Sequence, residues 1–288
     1  MTAKDAPPVV EPSHRTYPSP RVLLDRHGLR AKKSWGQNFL ADESILDGIA
    51  ALAAPASDDT VVELGSGLGH LTARLLARGA NVVAVERDRD MARVLRSELG
   101  DRVTLLEADA VRLDYAALAR SRGVSALAVV GNLPYHLTSP ILFSILDQRE
   151  RVSRAVFLVQ REVAERLAAS PGTKDWGLLS VLLQQCAEVG IARKVPAGAF
   201  HPPPKVESAV VRIAFRPAVH EPRDASRFRA LVKAGFAQRR KVLANALSAG
   251  RVAPPEHIAR ALEAAGIDGR RRGETLTVEE WVNLERAL

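Results

Sequence analysis

The 288-residue sequence predicts an α/β fold, a mostly parallel sheet covered by helices on both faces, followed by a small all-helical region. Three observations lead there. Short β-branched runs alternate with amphipathic stretches from Thr60 onward. A cluster of glycines separates the first such run from the first such stretch, and the strand pattern stops after Pro217. Near-continuous apolar strands alternating with helices are those of a sheet buried on both sides.

Residues 1 to 30 read as a flexible extension, because Pro7, Pro8, Pro12, Pro18 and Pro20 crowd its first part and no periodicity follows. The run 60–64 is the first strand, and glycines lead from it into a helix over 71–76. A second strand covers 81–86 and a helix 91–99. The runs 103–107, 127–130 and 155–160 continue the series. Pro196 and the prolines at 202–204 interrupt a late antiparallel region whose final strand is 206–215. Beyond it, Ser226 can cap a helix whose apolar positions Phe228, Leu231, Val232, Val242, Leu243 and Leu247 fall mostly on one face. Pro254 and Pro255 open another helix, and 278–288 form the last.

Hydrophobic residues make up 47% and charged residues 26%, the balance of a globular chain with a real core. No apolar run approaches the roughly 18 residues that span a bilayer, and no apolar leader core is visible. The single cysteine, Cys186, excludes an intramolecular disulfide framework and suits a reducing compartment. The seven histidines show no ligand spacing, so no metal is expected. These features point to a cytoplasmic protein, for which we expect a monomer. Net charge is +8, and residues 216–272 alone hold 13 Lys/Arg against 5 Asp/Glu, which accounts for the whole excess. Such a concentration points to a polyanion such as nucleic acid, although a solvated basic face has the same composition.

The most telling residues are Asn132-Leu133-Pro134-Tyr135, placed where the fourth apolar run ends. An amide oxygen and a backbone carbonyl there can accept hydrogen bonds from an exocyclic amine. Proline fixes the turn, and an aromatic ring lies within reach to stack on a base. Asn-x-Pro is also an ordinary turn sequence. In the run from Glu63 to Gly69, glycines permit close backbone approach to a ligand beside the free N–H groups of a helix start. His70 stands where a dinucleotide fingerprint wants glycine; the spacing fits better the loop that binds S-adenosylmethionine in methyltransferases. Glu86, 21 positions after Gly65, can accept from both ribose hydroxyls, or cap a helix. Asp109, after the third strand, can accept from an adenine amine, or act as a plain N-cap.

Together these motifs resemble those of the ribosomal RNA adenine dimethyltransferases, the bacterial small-subunit enzymes in particular. The likeness runs from about Lys32 to Leu247. It includes Lys32-Lys33-Ser34-Trp35-Gly36-Gln37-Asn38-Phe39-Leu40, the glycine loop, Glu86, Asp109 and the Asn132 tetrapeptide. The segment from Phe200 to Ser208 and the run Gln238-Arg239-Arg240-Lys241 complete it. The resemblance implies a Rossmann-like S-adenosylmethionine-dependent methyltransferase domain over 31–216 and a helical, basic RNA-binding domain over 217–288. It assigns Asn38, Leu40, Gly65, Gly67, Glu86, Asp109 and Asn132 to cofactor contact, with Gln37 shaping the same pocket. It implies as substrate two adjacent adenines in the terminal hairpin of small-subunit rRNA, within the small-subunit precursor. Trp35 stands where relatives often carry Leu or Phe, and no consequence is expected.

On this reading Asn132 Oδ1 and the Leu133 carbonyl accept the two N–H groups of the target amine. Pro134 holds the turn, while Tyr135 and Phe200 stack on the base. Arg223, Arg227, Arg229, Lys233, Arg239, Arg240 and Lys241 would grip phosphates, with Arg229, Lys233 and Arg240 on one side of a helix. A large-subunit resistance methyltransferase and an RNA-binding assembly factor are the alternative readings. A DNA adenine methyltransferase or a dinucleotide-dependent oxidoreductase fits the residues less well.

Overall fold

The computed structural model describes residues 17–32 and 35–288. Pro7, Pro8 and Pro12, with Lys33 and Ser34 of the first motif, lie outside the described residues. The expected flexible extension reaches up to residue 30, yet Pro20–Arg26 form helix α1. Pro20 begins it at a position that needs no N–H, and the Ser19 hydroxyl accepts from the Val22 amide. Leu23 and Leu24 are buried against Phe39, Leu68, Met91 and Val94. Pro20, one of the prolines that suggested disorder, therefore starts a docked helix.

Strand β1 (Phe39–Leu40) and helix α2 (Glu43–Ala53) follow. Then come β2 (Thr60–Leu64), α3 (His70–Ala77), β3 (Asn81–Val85), α4 (Arg89–Leu99) and β4 (Thr104–Leu106). The chain continues through α5 (Tyr115–Arg122), β5 (Leu127–Asn132), α6 (Thr138–Asp147), β6 (Val152–Gln160), α7 (Arg161–Leu167) and α8 (Leu178–Cys186). Strands β7 (Ala187–Val195), β8 (Phe200–His201) and β9 (Ser208–Phe215) close the α/β part. The main sheet has seven strands in the order β4-β3-β2-β5-β6-β9-β7. Strands β2 to β6 pair in parallel, and β9 and β7 are antiparallel. Every residue of β2 is buried, as a strand covered on both faces requires.

The strand order reverses between β2 and β5, so the chain leaves their carboxyl ends in opposite directions and opens a crevice there. Gly65, Glu86, Asp109 and Asn132 stand at or just past the ends of β2, β3, β4 and β5. That places four expected site residues along one sheet edge.

The helical region holds α9 (Ala225–Ala237), α10 (Leu243–Ala249), α11 (Pro255–Ala264) and α12 (Val278–Ala287). Asp224, not Ser226, caps α9: its carboxylate accepts from the Ser226 and Arg227 amides. The single helix expected through Leu247 is two. After Ala237 the chain turns, and the Leu243 and Ala244 amides donate to the carbonyls of Arg271 and Gly269. Those long-range bonds satisfy donors that a continuous helix would have used internally. A β-carbon on Gly235 would meet the Trp281 ring at 2.3 Å, so glycine sets how closely α9 and α12 approach. One apolar cluster runs from Val62 and Phe157 in the sheet through Trp176 to Phe228 and Trp281, and the Trp176 indole donates to the Leu276 carbonyl at 3.0 Å.

Candidate active site

Two adjoining cavities of about 120 and 360 Å³ open at the strand ends. Gln37, Asn38, Leu40, Gly65, Gly67, Glu86 and the whole tetrapeptide from Asn132 to Tyr135 line the first. Gly65, Glu86, Leu133 and Pro134 also face the second, which Asp109 borders together with Ala108, Ala110 and Ile141. Eleven of the twelve expected catalytic and cofactor positions thus converge on one crevice. Phe200 lines neither cavity; it is 5% exposed, pairs through β8 with Leu40 of β1, and packs in the core below. The structure therefore does not bring Phe200 to the cavity walls where its expected stacking on a base would take place.

The tetrapeptide is held rigidly. Asn132 Nδ2 donates to the Asn38 carbonyl at 2.8 Å, which fixes the amide plane and leaves Oδ1 as its acceptor. The Leu133 amide donates to the Leu158 carbonyl at 3.2 Å, tying the turn to β6. The Tyr135 hydroxyl shares a 2.9 Å hydrogen bond with Ser208, and burial raises its pKa. Asn132 and Asn38 are 94 residues apart in sequence, so the first motif and the tetrapeptide form one unit only in the folded chain.

Glu86 is buried, and its carboxylate accepts from the Gly67 amide at 2.8 Å and the Asp88 amide at 2.7 Å. Burial raises its pKa against the lowering effect of those amides. Each oxygen retains acceptor capacity toward the cavity. Gly67 has φ +54°, and a β-carbon there would lie 3.1 Å from the Phe39 ring, so the loop can run this close only as glycine. Asp109 does cap a short turn, through the Val111 amide, and lies 3.7 Å from Arg87. Its capping and its place on the cavity wall are compatible, because a carboxylate has several acceptor positions.

Other residues of the site carry no sequence-based assignment. Glu63, in the glycine motif, is 2% exposed, faces the first cavity and accepts from the Thr72 hydroxyl at 2.5 Å. Burial lifts its pKa to about 8. Its signal was an acidic residue at a strand end, which alternation alone would have pointed into the core. Lys32 binds Asp88 at 2.8 Å and Asp90 at 2.7 Å, and Gln37 donates to the same Asp88, so the first motif is clamped to the start of α4. Behind the glycine loop, the Tyr17 hydroxyl donates to the Leu68 carbonyl at 2.8 Å, and the His70 ring lies 2.9 Å from the Pro18 carbonyl. Burial lowers the His70 pKa to about 4, so the ring is neutral near pH 7.

The basic residues separate into two groups. Arg229 pairs with Asp147 and lies over the Phe143 ring at 5.3 Å. Arg239 pairs with Glu274 at 3.0 Å and donates to the carbonyls of Lys174 and Trp176. Both hold the helical region against the α/β part. Arg223, Arg227, Lys233, Arg240 and Lys241 are exposed and form no side-chain ion pair among the described residues. Because α9 ends at Ala237, Arg240 does not share a helix side with Arg229 and Lys233 as expected.

Among the described residues no group of three or more His, Cys, Asp or Glu could hold a metal, and no helix is long and apolar enough to cross a membrane. Cys186 is buried, and burial raises its thiol pKa to about 11.

The sequence profile of the ribosomal RNA adenine dimethylase family matches residues 28–288. The chain is 69% identical over 279 residues to the ribosomal RNA small subunit methyltransferase A of Anaeromyxobacter dehalogenans (strain 2CP-C), covering 94% of this chain and 98% of that one. It is 53% identical to the protein of the same name from Myxococcus xanthus (strain DK1622), covering 94% and 95%. A crystal structure of a dimethyladenosine transferase from Plasmodium falciparum has the same fold, with a TM-score of 0.70 at 23% identity over 85% of this chain and 95% of that one. The crystal structure of the 23S rRNA methyltransferase ErmE matches at a TM-score of 0.65 and 28% identity, covering 87% and 99%.

Proposed function

Because this chain belongs to the ribosomal RNA adenine dimethylase family, we propose that it dimethylates N6 of two adjacent adenines in the 3′-terminal hairpin of small-subunit rRNA. The observation that carries the chemistry is the Asn132 amide, anchored by Asn38 so that Oδ1 remains to accept from the target amine. Adenine N6 is a weak nucleophile because its lone pair is delocalised into the ring. Asn132 Oδ1 and the Leu133 carbonyl take its two N–H groups, draw the nitrogen toward tetrahedral geometry and aim its lone pair. The gain is positioning and electrostatic preorganisation. No general base precedes attack, since the amine proton can leave after the new C–N bond has formed. Tyr135, tethered by Ser208, supplies a ring to stack on the extruded base.

The residues present fit S-adenosylmethionine, which when bound supplies an electrophilic sulfonium methyl group. Gly65 and Gly67 would let the backbone approach it, Glu86 would accept from its ribose hydroxyls, and Asp109 would accept from its adenine amine. Gln37, Asn38 and Leu40 wall the other end. The exposed cations of the helical region, Arg223, Arg227, Lys233, Arg240 and Lys241, contact RNA phosphates. The partner is the maturing small ribosomal subunit, met in the cytoplasm by a monomer.

Methyl transfer from labelled S-adenosylmethionine to unmethylated small and large ribosomal subunits tests this reading. N6,N6-dimethyladenosine at two adjacent positions on small subunits alone is the expected result. Label confined to large subunits would overturn the substrate. Cofactor binding without transfer to either would leave RNA binding during assembly as the function.

A further inference from the structure

Of the three tryptophans, Trp176 and Trp281 are 0% exposed, whereas Trp35 is 42% exposed. One exposed ring is ordinary by itself; what sets Trp35 apart is where it sits. Trp35 borders both cavities. Two cations address its ring: Lys32 Nζ at 5.4 Å and the Arg87 guanidinium at 5.8 Å from the centroid. Each is also held by a carboxylate, Lys32 by Asp88 and Arg87 by Asp109. The ring is therefore stationed beyond the ends of β3 and β4, beside the two carboxylates assigned to the cofactor. The larger cavity is also lined by the apolar side chains of Val85, Ala108 and Ile141. A cavity lined by apolar side chains, one aromatic ring and the carboxylates Glu86 and Asp109 suits a flat heterocycle with an amine at its edge and hydroxyls on its sugar.

We infer that Trp35 is itself a cofactor-contacting residue, its indole forming the outer wall on which the adenine ring of S-adenosylmethionine stacks. The inference rests on the assignment of Glu86 and Asp109 to that cofactor. It predicts that the adenosine half, not the methionine half, engages Trp35. Stacking of a base on an aromatic side chain accounts for about a ten- to hundredfold change in affinity.

The full-length protein allows a direct test, because collisional quenching by acrylamide reads chiefly the one exposed indole. S-adenosylhomocysteine and adenosine should protect the fluorescence, and methionine should not. Trp35→Ala should weaken S-adenosylhomocysteine binding about ten- to hundredfold by calorimetry, and Trp35→Phe should restore most of it. The loss should fall on KM for the cofactor, with KM for RNA unchanged. Glu86→Ala is the control for the underlying assignment. If Glu86→Ala abolishes binding while Trp35→Ala binds normally and wild-type quenching is unaltered, the inference fails and the site assignment stands. If Glu86→Ala binds normally, the site assignment itself fails. A rise in KM for RNA with unchanged cofactor affinity would give the ring to the RNA and overturn the inference. Protection of the wild-type indole decides the matter even where the alanine variant folds poorly.

Discussion

Around the strand ends Glu63, Glu86 and Asp88 are buried and hydrogen-bonded, whereas on the helical region most of the expected RNA-binding cations form no ion pair among the described residues. Glu86 is fixed by two backbone amides, and Lys32 and Gln37 converge on Asp88. By contrast, Arg240 and Lys241 have no ion-pair partner among the described residues, while neighbouring Arg239 is spent on Glu274 and two carbonyls. The difference is one of range. A carboxylate at a strand end is placed by the end of its strand, which the local pattern prescribes, even where its partners come from other elements. An arginine takes its role from whatever lies across a gap, which only the packed chain decides.

Asn132→Ala should have the largest effect, lowering kcat roughly 10²–10³-fold, as loss of one preorganised hydrogen-bonding group does; cofactor affinity measured by calorimetry should fall much less. A kcat within a few-fold of the wild type would remove Asn132 from the chemistry. Tyr135→Ala should lower kcat/KM for RNA about ten- to hundredfold through lost stacking. Tyr135→Phe keeps the ring, loses only the Ser208 bond, and should stay close to the wild type in the same assay.

The two classes of arginine are separated by salt. Arg240→Ala and Lys241→Ala should each reduce the slope of log K for RNA against log salt by about one, with similar weakening across RNA sequences. Arg229→Ala and Arg239→Ala should lower Tm and leave that slope nearly unchanged. A slope change from Arg229→Ala would show that its pairing with Asp147 gives way to RNA.

The smallest effect is a pH dependence. Glu63 has its pKa raised to about 8 by burial, above the ordinary 4.5, so the folded state holds a proton that the unfolded chain has lost. Its contribution is fully present below pH 4.5 and disappears as pH rises through 8. His70, lowered to about 4 from 6.5, acts with the opposite sign between those values. The two offset each other from about pH 4.5 to 6.5, and Glu63 alone acts from there to 8. Tm should therefore decline between pH 6.5 and 8, and Glu63→Gln should flatten that decline. An unchanged slope in the variant would mean that Glu63 is ionised in the folded state.

The motifs were legible where local rules suffice. The runs at 60–64 and 81–86 alternate with helices as a parallel sheet requires, and glycines mark the turn after the first. The tetrapeptide was legible too, because β5 ends at Asn132 and proline prevents its continuation. Glu63 was harder, since an acidic residue in a fully buried strand runs against composition and is tolerated only through Thr72.

The sequence by itself determined the α/β order, the placing of Gly65, Glu86, Asp109 and Asn132 at successive strand ends, and the basic excess of 216–272. Periodicity, turn chemistry and charge are properties of neighbours along the chain. Tertiary structure alone decided the rest. Helix α1 forms because Leu23 and Leu24 find Leu68 and Met91, and the break after α9 persists because amides of α10 bond to the distant 269–271 loop. Phe200 turns inward because β8 pairs with β1, and Arg229 and Arg239 are paired because carboxylates on other elements reach them. Each depends on a partner at least 25 residues away, and a local pattern holds no record of such a partner.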